Sequence, residues 1–153
     1  MNSQGIQQKR GEVIERTINV EMIVDAIICQ NYFKRVVAPF LFEVLNDEYF
    51  SFGLKIRILE KVLPDSDRKK LQNLRRVNTI RNYFAHCNLF VISVGEDDGS
   101  IFDPRKPDRG VDLEELFEEF CSIEPSTTTY LAKKYKEMGG ELHKEIPRGD
   151  CAG

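Results

Sequence analysis

Residues 65–87 read DSDRKKLQNLRRVNTIRNYFAHC, and this stretch decides the fold. Apolar side chains recur in it every three or four residues, which places them on one stripe of a helix that must be buried against other helices. They are Leu71, Leu74, Val77, Ile80 and Phe84. The last turn and a half differs, because Arg81, Asn82 and His86 lie among these apolar residues. Polar groups so close to a core face need a reason beyond packing.

The chain before this stretch predicts three further helices. Helical patterns extend over about 8–33, 35–45 and 52–63. Pro39 is tolerated in the first turns of the second, and Pro64 ends the third. We therefore expect a mainly α-helical fold, an antiparallel bundle in which the 65–87 helix is central.

After His86 the pattern changes. Residues 89–94 and 100–102 predict two short strands of a small β-hairpin. Asp112 and Glu115 then form a capping box that starts another helix.

The C-terminal part predicts one last helix and a tail. Pro125 should separate this helix from the one before it, and the glycine pair at 139–140 should close it. We expect a single domain over 1–140 and a flexible tail over 141–153.

The composition fits a globular protein of one domain. Hydrophobic residues make up 41% of the 153 residues and charged residues 31%, which excludes a fully disordered chain. The net charge of -3 argues against a protein that coats DNA non-specifically. The four cysteines are widely spaced and only two histidines could join them, so no structural zinc site is predicted. With neither a membrane span nor a signal peptide in the pattern, a cytoplasmic location is expected.

The run RNYFAH at 81–86 resembles the motif of HEPN domains, in which an Arg and a polar residue are followed by three residues and a His. The run FGLKIR at 52–57, with the helix after it, is similar to the branch that contains the mannitol operon repressor proteins. The resemblance covers the chain from the first helix to His86. It implies an all-helical, metal-independent endoribonuclease that needs no cofactor and acts as a toxin or in phage defence.

Histidine is the side chain whose ordinary pKa suits proton transfer near neutral pH, so His86 would act as acid or base on an RNA phosphodiester. Arg81 would hold the phosphoryl oxygens and Asn82 would orient one of these groups. Further basic residues of the same helix would bind the flanking RNA backbone. These are Lys70, Arg75 and Arg76.

Residues five apart on a helix are separated by roughly 140°, so Arg81 and His86 would not share a face unaided. Either the helix ends near Ala85, or two copies of the helix meet across a two-fold axis. The resemblance implies the second arrangement, a homodimer with a composite site.

Other interpretations stay open. A regulatory protein like the mannitol operon repressor proteins would bind a protein partner without catalysis. A degenerate site would only tie helices together, since a lone histidine is often structural and an arginine often extends to solvent. An antitoxin partner is also left open. In the HEPN branch silenced by a nucleotidyltransferase, a Tyr commonly stands two residues after the His; Asn88 is here, which speaks against that regulation.

Overall fold

The fold is a packed set of helices. The computed structural model describes residues 3–86, 100–102 and 110–141. The helices are α1 (Ser3–Phe33), α2 (Phe52–Val62), α3 (Arg68–His86) and α4 (Leu113–Glu137). A π-helical turn, Phe40–Leu45, stands where the second helix was predicted, and a 3₁₀ turn, Asp65–Asp67, leads into α3. The predicted mainly helical fold is thus confirmed.

Two layers of apolar side chains hold the helices together. The first half of α1, from Ile6 to Val13, packs against Val77, Ile80 and Phe84 in the second half of α3. The second half of α1 packs instead with the first half of α3. The two helices therefore run in opposite directions. All five apolar residues of the predicted α3 stripe are buried, so that prediction is confirmed.

Helix α4 runs parallel to α1. Lys9 of α1 is paired with Glu114 near the start of α4, and Gln30 near the end of α1 donates to the carbonyl oxygen of Met138, at 2.9 Å, just past the end of α4. The first turns of both helices consequently lie at the end of the bundle where α3 finishes. The predicted antiparallel packing holds for α3 with its neighbours and not for α1 with α4.

The two strands are β1 (Ser100–Phe102) and β2 (Gly110–Asp112), paired antiparallel with Ile101 opposite Val111. A strand at 100–102 was predicted, but as the partner of 89–94, which lies outside the described residues. That hairpin stays a prediction. The single domain over 1–140 and the tail over 141–153 also stay predictions, since residues 142–153 are not described.

The predicted break at Pro125 was wrong, because α4 continues through it. A proline inside a helix removes one backbone donor. Hydroxyl side chains bond to backbone carbonyls in the same turns: Thr127 donates to the oxygen of Ile123 at 2.8 Å, and Thr129 to that of Pro125 at 2.8 Å. Phe120 and Leu131 are both fully buried, so the core holds both sides of the proline in one helix.

Both ends of α4 lie at the predicted residues, and the Asp112 half of the predicted capping box is found. The Asp112 carboxylate accepts from the backbone N–H of Glu114 at 2.8 Å and caps the start. Gly139, with a φ of +86°, donates to the carbonyl of Lys136, and Gly140 donates to that of Tyr135. This pair of bonds is a Schellman motif. No helix in the described ranges is both long and apolar enough to cross a membrane.

Candidate active site at the C-terminal end of α3

The helix does not unwind before His86. Its last helical residue is His86 itself, so Ala85 keeps helical geometry. The angle of roughly 140° between Arg81 and His86 is therefore retained in one chain. Two arrangements could bring these residues together, an early helix end or a pairing of two chains. The first of them is excluded, because α3 stays helical to His86.

Asn82 bonds to Arg81 and shares a helix face with His86. It stands four residues before His86, so the two lie on one face, roughly 40° apart. The Arg81 guanidinium donates from Nη1 to Asn82 Oδ1 at 3.1 Å. This bond draws the positive charge of Arg81 towards the face that Asn82 and His86 share. The structure thus bonds Arg81 to Asn82. It relates His86 to this pair through the helix face that His86 shares with Asn82.

The charge of Arg81 is not matched by a carboxylate among the residues that the structure describes. Arg81 and Asn82 are half-buried and His86 is exposed. The three side chains therefore form a basic, solvent-accessible end of α3. Such a surface can accept an anionic ligand.

Packed apolar side chains lie beneath this end of α3. Phe84 is fully buried and its ring meets that of Phe117 edge to face, with centroids 6.5 Å apart. Leu113 at the start of α4 is buried in the same cluster. Well-packed aromatic side chains fix the backbone on which the polar residues stand.

Sequence reasoning missed Arg10, which reaches this end of α3 from α1. Arg10 is half-buried, and its Nη2 donates to the carbonyl oxygen of Ala85 at 2.9 Å. A cation at a helix C-terminus compensates the partial negative charge of the last carbonyls. No local pattern reveals this contact, because it depends on how two helices distant in sequence pack.

Two of the three residues predicted to bind RNA are engaged in ion pairs. Arg75 donates to both carboxylate oxygens of Glu60, at 2.5 and 2.6 Å, and Arg76 donates to both of Glu119, at 2.7 and 2.5 Å. These bonds lower the pKa of the Glu60 and Glu119 carboxyls. They tie α3 to α2 and to α4.

The exposed Lys70 is placed differently. It precedes Arg81 by three turns, which puts it roughly 20° away around α3 and about 16 Å along the axis. Lys70 therefore extends the face of Arg81, whereas Arg75 and Arg76 point to either side of it. RNA binding by these three residues stays a prediction.

A second charged cluster lies inside the fold. The Lys55 ammonium is 2.9 Å from Asp25 Oδ2 and 2.6 Å from Glu21 Oε1, and Lys55 is only 1% exposed. Burial raises the pKa of Asp25 to about 6, although the bond to Lys55 opposes this. The cluster joins α1 to α2, and its Lys55 and Asp25 are buried while Glu21 is partly exposed, so we regard it as structural.

An open cavity of about 380 Å³ lies at the opposite end of α3 from His86. Its lining includes Arg68, Leu71 and Gln72 together with the Glu60–Arg75 ion pair. Opposite charges pair within it, and it shares no residue with the candidate site. In the described part of the chain, no three His, Cys, Asp or Glu side chains are grouped so that they could hold a metal ion.

Comparison with models of known protein families, with curated proteins and with solved structures gives no match to this chain.

Proposed function

We propose that this protein is a metal-independent endoribonuclease of the HEPN type, acting as a toxin or in phage defence. The resemblance of residues 81–86 suggests the chemistry, and a HEPN-like bundle is part of the proposal. One observation carries it. The guanidinium of Arg81 bonds to the neutral amide of Asn82, which shares a helix face with the exposed His86, and no carboxylate pairs with Arg81 among the described residues.

The contrast within α3 supports this choice of residues. Arg75 and Arg76 stand on the same helix, yet each bonds to a carboxylate of a neighbouring helix. A structural role accounts for both of them. It does not account for Arg81, whose one bond found among the described residues is to the next residue of the same helix. A phosphodiester would supply the missing negative charge.

The proposed reaction is an internal transesterification. His86 removes the proton of the RNA 2′-hydroxyl, whose oxygen forms a bond to phosphorus while the bond from phosphorus to the 5′-oxygen breaks. Arg81 binds the phosphoryl oxygens as negative charge builds on them. The leaving 5′-oxygen takes a proton from a second imidazole. The products are a 2′,3′-cyclic phosphate and a 5′-hydroxyl.

A homodimer supplies that second imidazole. The angle between Arg81 and His86 on a straight α3 keeps one chain from surrounding a phosphate with both groups. Two copies related by a two-fold axis would bring two Arg81–His86 sets to one groove. The dimer is therefore part of the proposed mechanism.

The chemistry is tested with a short RNA and its all-deoxy counterpart, each incubated with the protein in EDTA. We expect cleavage of the RNA alone, because only RNA carries the attacking 2′-hydroxyl, and cyclic phosphate at the new ends. Equal cleavage of both strands, or products that carry 5′-phosphates, would contradict the proposed reaction.

A second function has an observation of its own in its favour. Large apolar side chains are exposed between the end of α1 and the start of α2, with Phe42 67% and Tyr49 85% exposed. Others in this region are Tyr32, Phe33, Val36 and Val44. Exposed apolar groups of this size are typical of a protein-binding surface. They would suit a regulatory protein of the mannitol operon repressor type or the binding of an antitoxin.

The two functions separate with one double variant. Phe42→Ser with Tyr49→Ser removes the most exposed apolar groups and leaves the end of α3 unchanged. If the protein is regulatory, the double variant should lose its protein partner in quantitative affinity purification, whereas His86→Ala should retain it. If the protein is a nuclease, His86→Ala should lose RNA cleavage and the double variant should retain it.

A further inference from the structure

We infer that Arg10 binds the phosphate group of the substrate beside His86 and so belongs to the same site. This inference rests on the proposed function, which assigns the anion as an RNA phosphodiester. Arg10 lies on α1 and is not part of the motif at 81–86.

Arg10 lies directly beside the last turn of α3. Its Nη2 donates to the carbonyl oxygen of Ala85 at 2.9 Å, and Ala85 is the residue directly before His86. A guanidinium has five N–H donors in one plane. Within the described ranges the hydrogen bond to Ala85 is the one found for Arg10, so donors remain for a ligand at the end of α3.

Electrostatics carries the second step. The last carbonyls of α3 concentrate partial negative charge at His86, and this charge repels an anion. Arg10 compensates the carbonyl of Ala85 with a full positive charge. The charges of Arg10 and Arg81 together turn an end that would repel phosphate into one that attracts it.

The neighbouring residue shows that this placement is specific. Lys9 is also a half-buried cation of α1, but its ammonium pairs with Glu114 and lies 4.8 Å from the centre of the Phe117 ring. Residues of α4 therefore neutralise the charge of Lys9. Of the two adjacent cations, Arg10 is the one directed to the last turn of α3. Lys9 is therefore the matched control.

The test uses inorganic phosphate and the imidazole signals of the protein in NMR. The sequence has only two histidines, His86 and His143, so His86→Ala assigns both signals. Phosphate is titrated at constant pH and ionic strength into wild type, Arg10→Gln and Lys9→Gln. Arg10→Gln removes the charge and the guanidinium donors while keeping a polar side chain that favours a helix.

We expect a saturable shift of the His86 signal in wild type and in Lys9→Gln. In Arg10→Gln the dissociation constant for phosphate should rise at least about tenfold, the loss expected for a charge-assisted hydrogen bond. Arg10→Lys should recover part of the affinity, because it restores the charge without the planar fork. Equal phosphate affinity in Arg10→Gln and Lys9→Gln would overturn the inference.

RNA cleavage separates this inference from the function on which it rests. In a cleaving enzyme, Arg10→Gln should raise KM about tenfold with a smaller effect on kcat. Cleavage by wild type with the same KM in Arg10→Gln would refute the role of Arg10 and leave the nuclease intact. A phosphate-dependent His86 signal that needs Arg10, in a protein that cleaves no RNA, would refute the nuclease and leave the anion site.

Discussion

Asn82 is the residue on which the geometry of the proposed site depends. It accepts from Arg81 and shares a helix face with His86. Asn82→Ala removes the acceptor, so the guanidinium loses its fixed direction. We expect kcat/KM for RNA to fall about tenfold, the usual scale for one lost polar contact. The melting temperature should change little, since Asn82 is half-buried and, among the described residues, bonds only to its neighbour Arg81.

Asn73→Ala on the same helix is the control for Asn82→Ala. Asn73 is also half-buried, and no hydrogen bond to it is found in the described part of the chain. Equal loss of cleavage in the two variants would show that Asn82 has no special part in orienting Arg81.

Asp25 gives the fold a pH dependence of uncommon sign. Burial raises the pKa of its carboxyl from 3.8 to about 6, while Lys55 and Glu21 are the charged groups that meet it. The folded protein therefore binds this proton more tightly than the unfolded chain. The contribution of Asp25 to stability is greatest below pH 4, falls as the pH rises to about 6, and is then constant.

The comparison of wild type with Asp25→Asn isolates this effect. The free energy of unfolding of wild type relative to the variant should fall by about 2 kcal/mol between pH 4 and pH 7. Denaturant unfolding at intervals across this range measures the difference. A difference that stays constant, or grows with pH, would mean that Lys55 compensates the carboxylate fully.

At the scale of single elements, the end of α4 depends on the absence of a side chain at Gly140. A Cβ placed there would overlap the ring of Tyr135, which is buried in the core. Gly140→Ala should destabilise the fold by about 1–3 kcal/mol, the usual cost of overpacking. Thermal and denaturant unfolding measure this cost.

Gly11 in α1 is the matched control, because a Cβ there would meet nothing within 4 Å. Gly11→Ala should stabilise the fold by about 0.5–1 kcal/mol, because alanine loses less chain entropy in a helix. Equal effects of the two substitutions would contradict this account of the helix end.

The same scale shows what the sequence could predict. The α3 stripe from Leu71 to Phe84 was found because a 3.6-residue period is local and strong. The continuity of α4 through Pro125 was missed, because burial on both sides outweighs one lost hydrogen bond. The ion pairs of Arg75 and Arg76 were missed for a related reason. Each depends on which carboxylate a neighbouring helix presents, and periodicity carries no such information.

The candidate site divides in the same way. Arg81, Asn82 and His86 were predicted because their types and spacing resemble a motif within one helix. Arg10 was not, because its contact with Ala85 exists only after α1 and α3 pack.

For the whole molecule, the proposed mechanism requires a dimer with a shared groove. An excess of His86→Ala protein mixed with wild type should lower the RNA cleavage by the wild-type chains, because a mixed pair retains only one of the two imidazoles that the reaction uses. Sedimentation at several concentrations should show the dimer directly. A monomer at every concentration, or wild-type cleavage that an excess of His86→Ala leaves unchanged, would contradict a composite site.

The central claim is that the end of α3 cleaves RNA through His86. The most direct test is cleavage of a defined RNA in EDTA by wild type, His86→Ala and His143→Ala, with each fold checked by circular dichroism. Wild type and His143→Ala should cleave, and His86→Ala should lose at least a hundredfold in rate, the scale of general acid–base catalysis. Cleavage by folded His86→Ala at the wild-type rate would contradict the account.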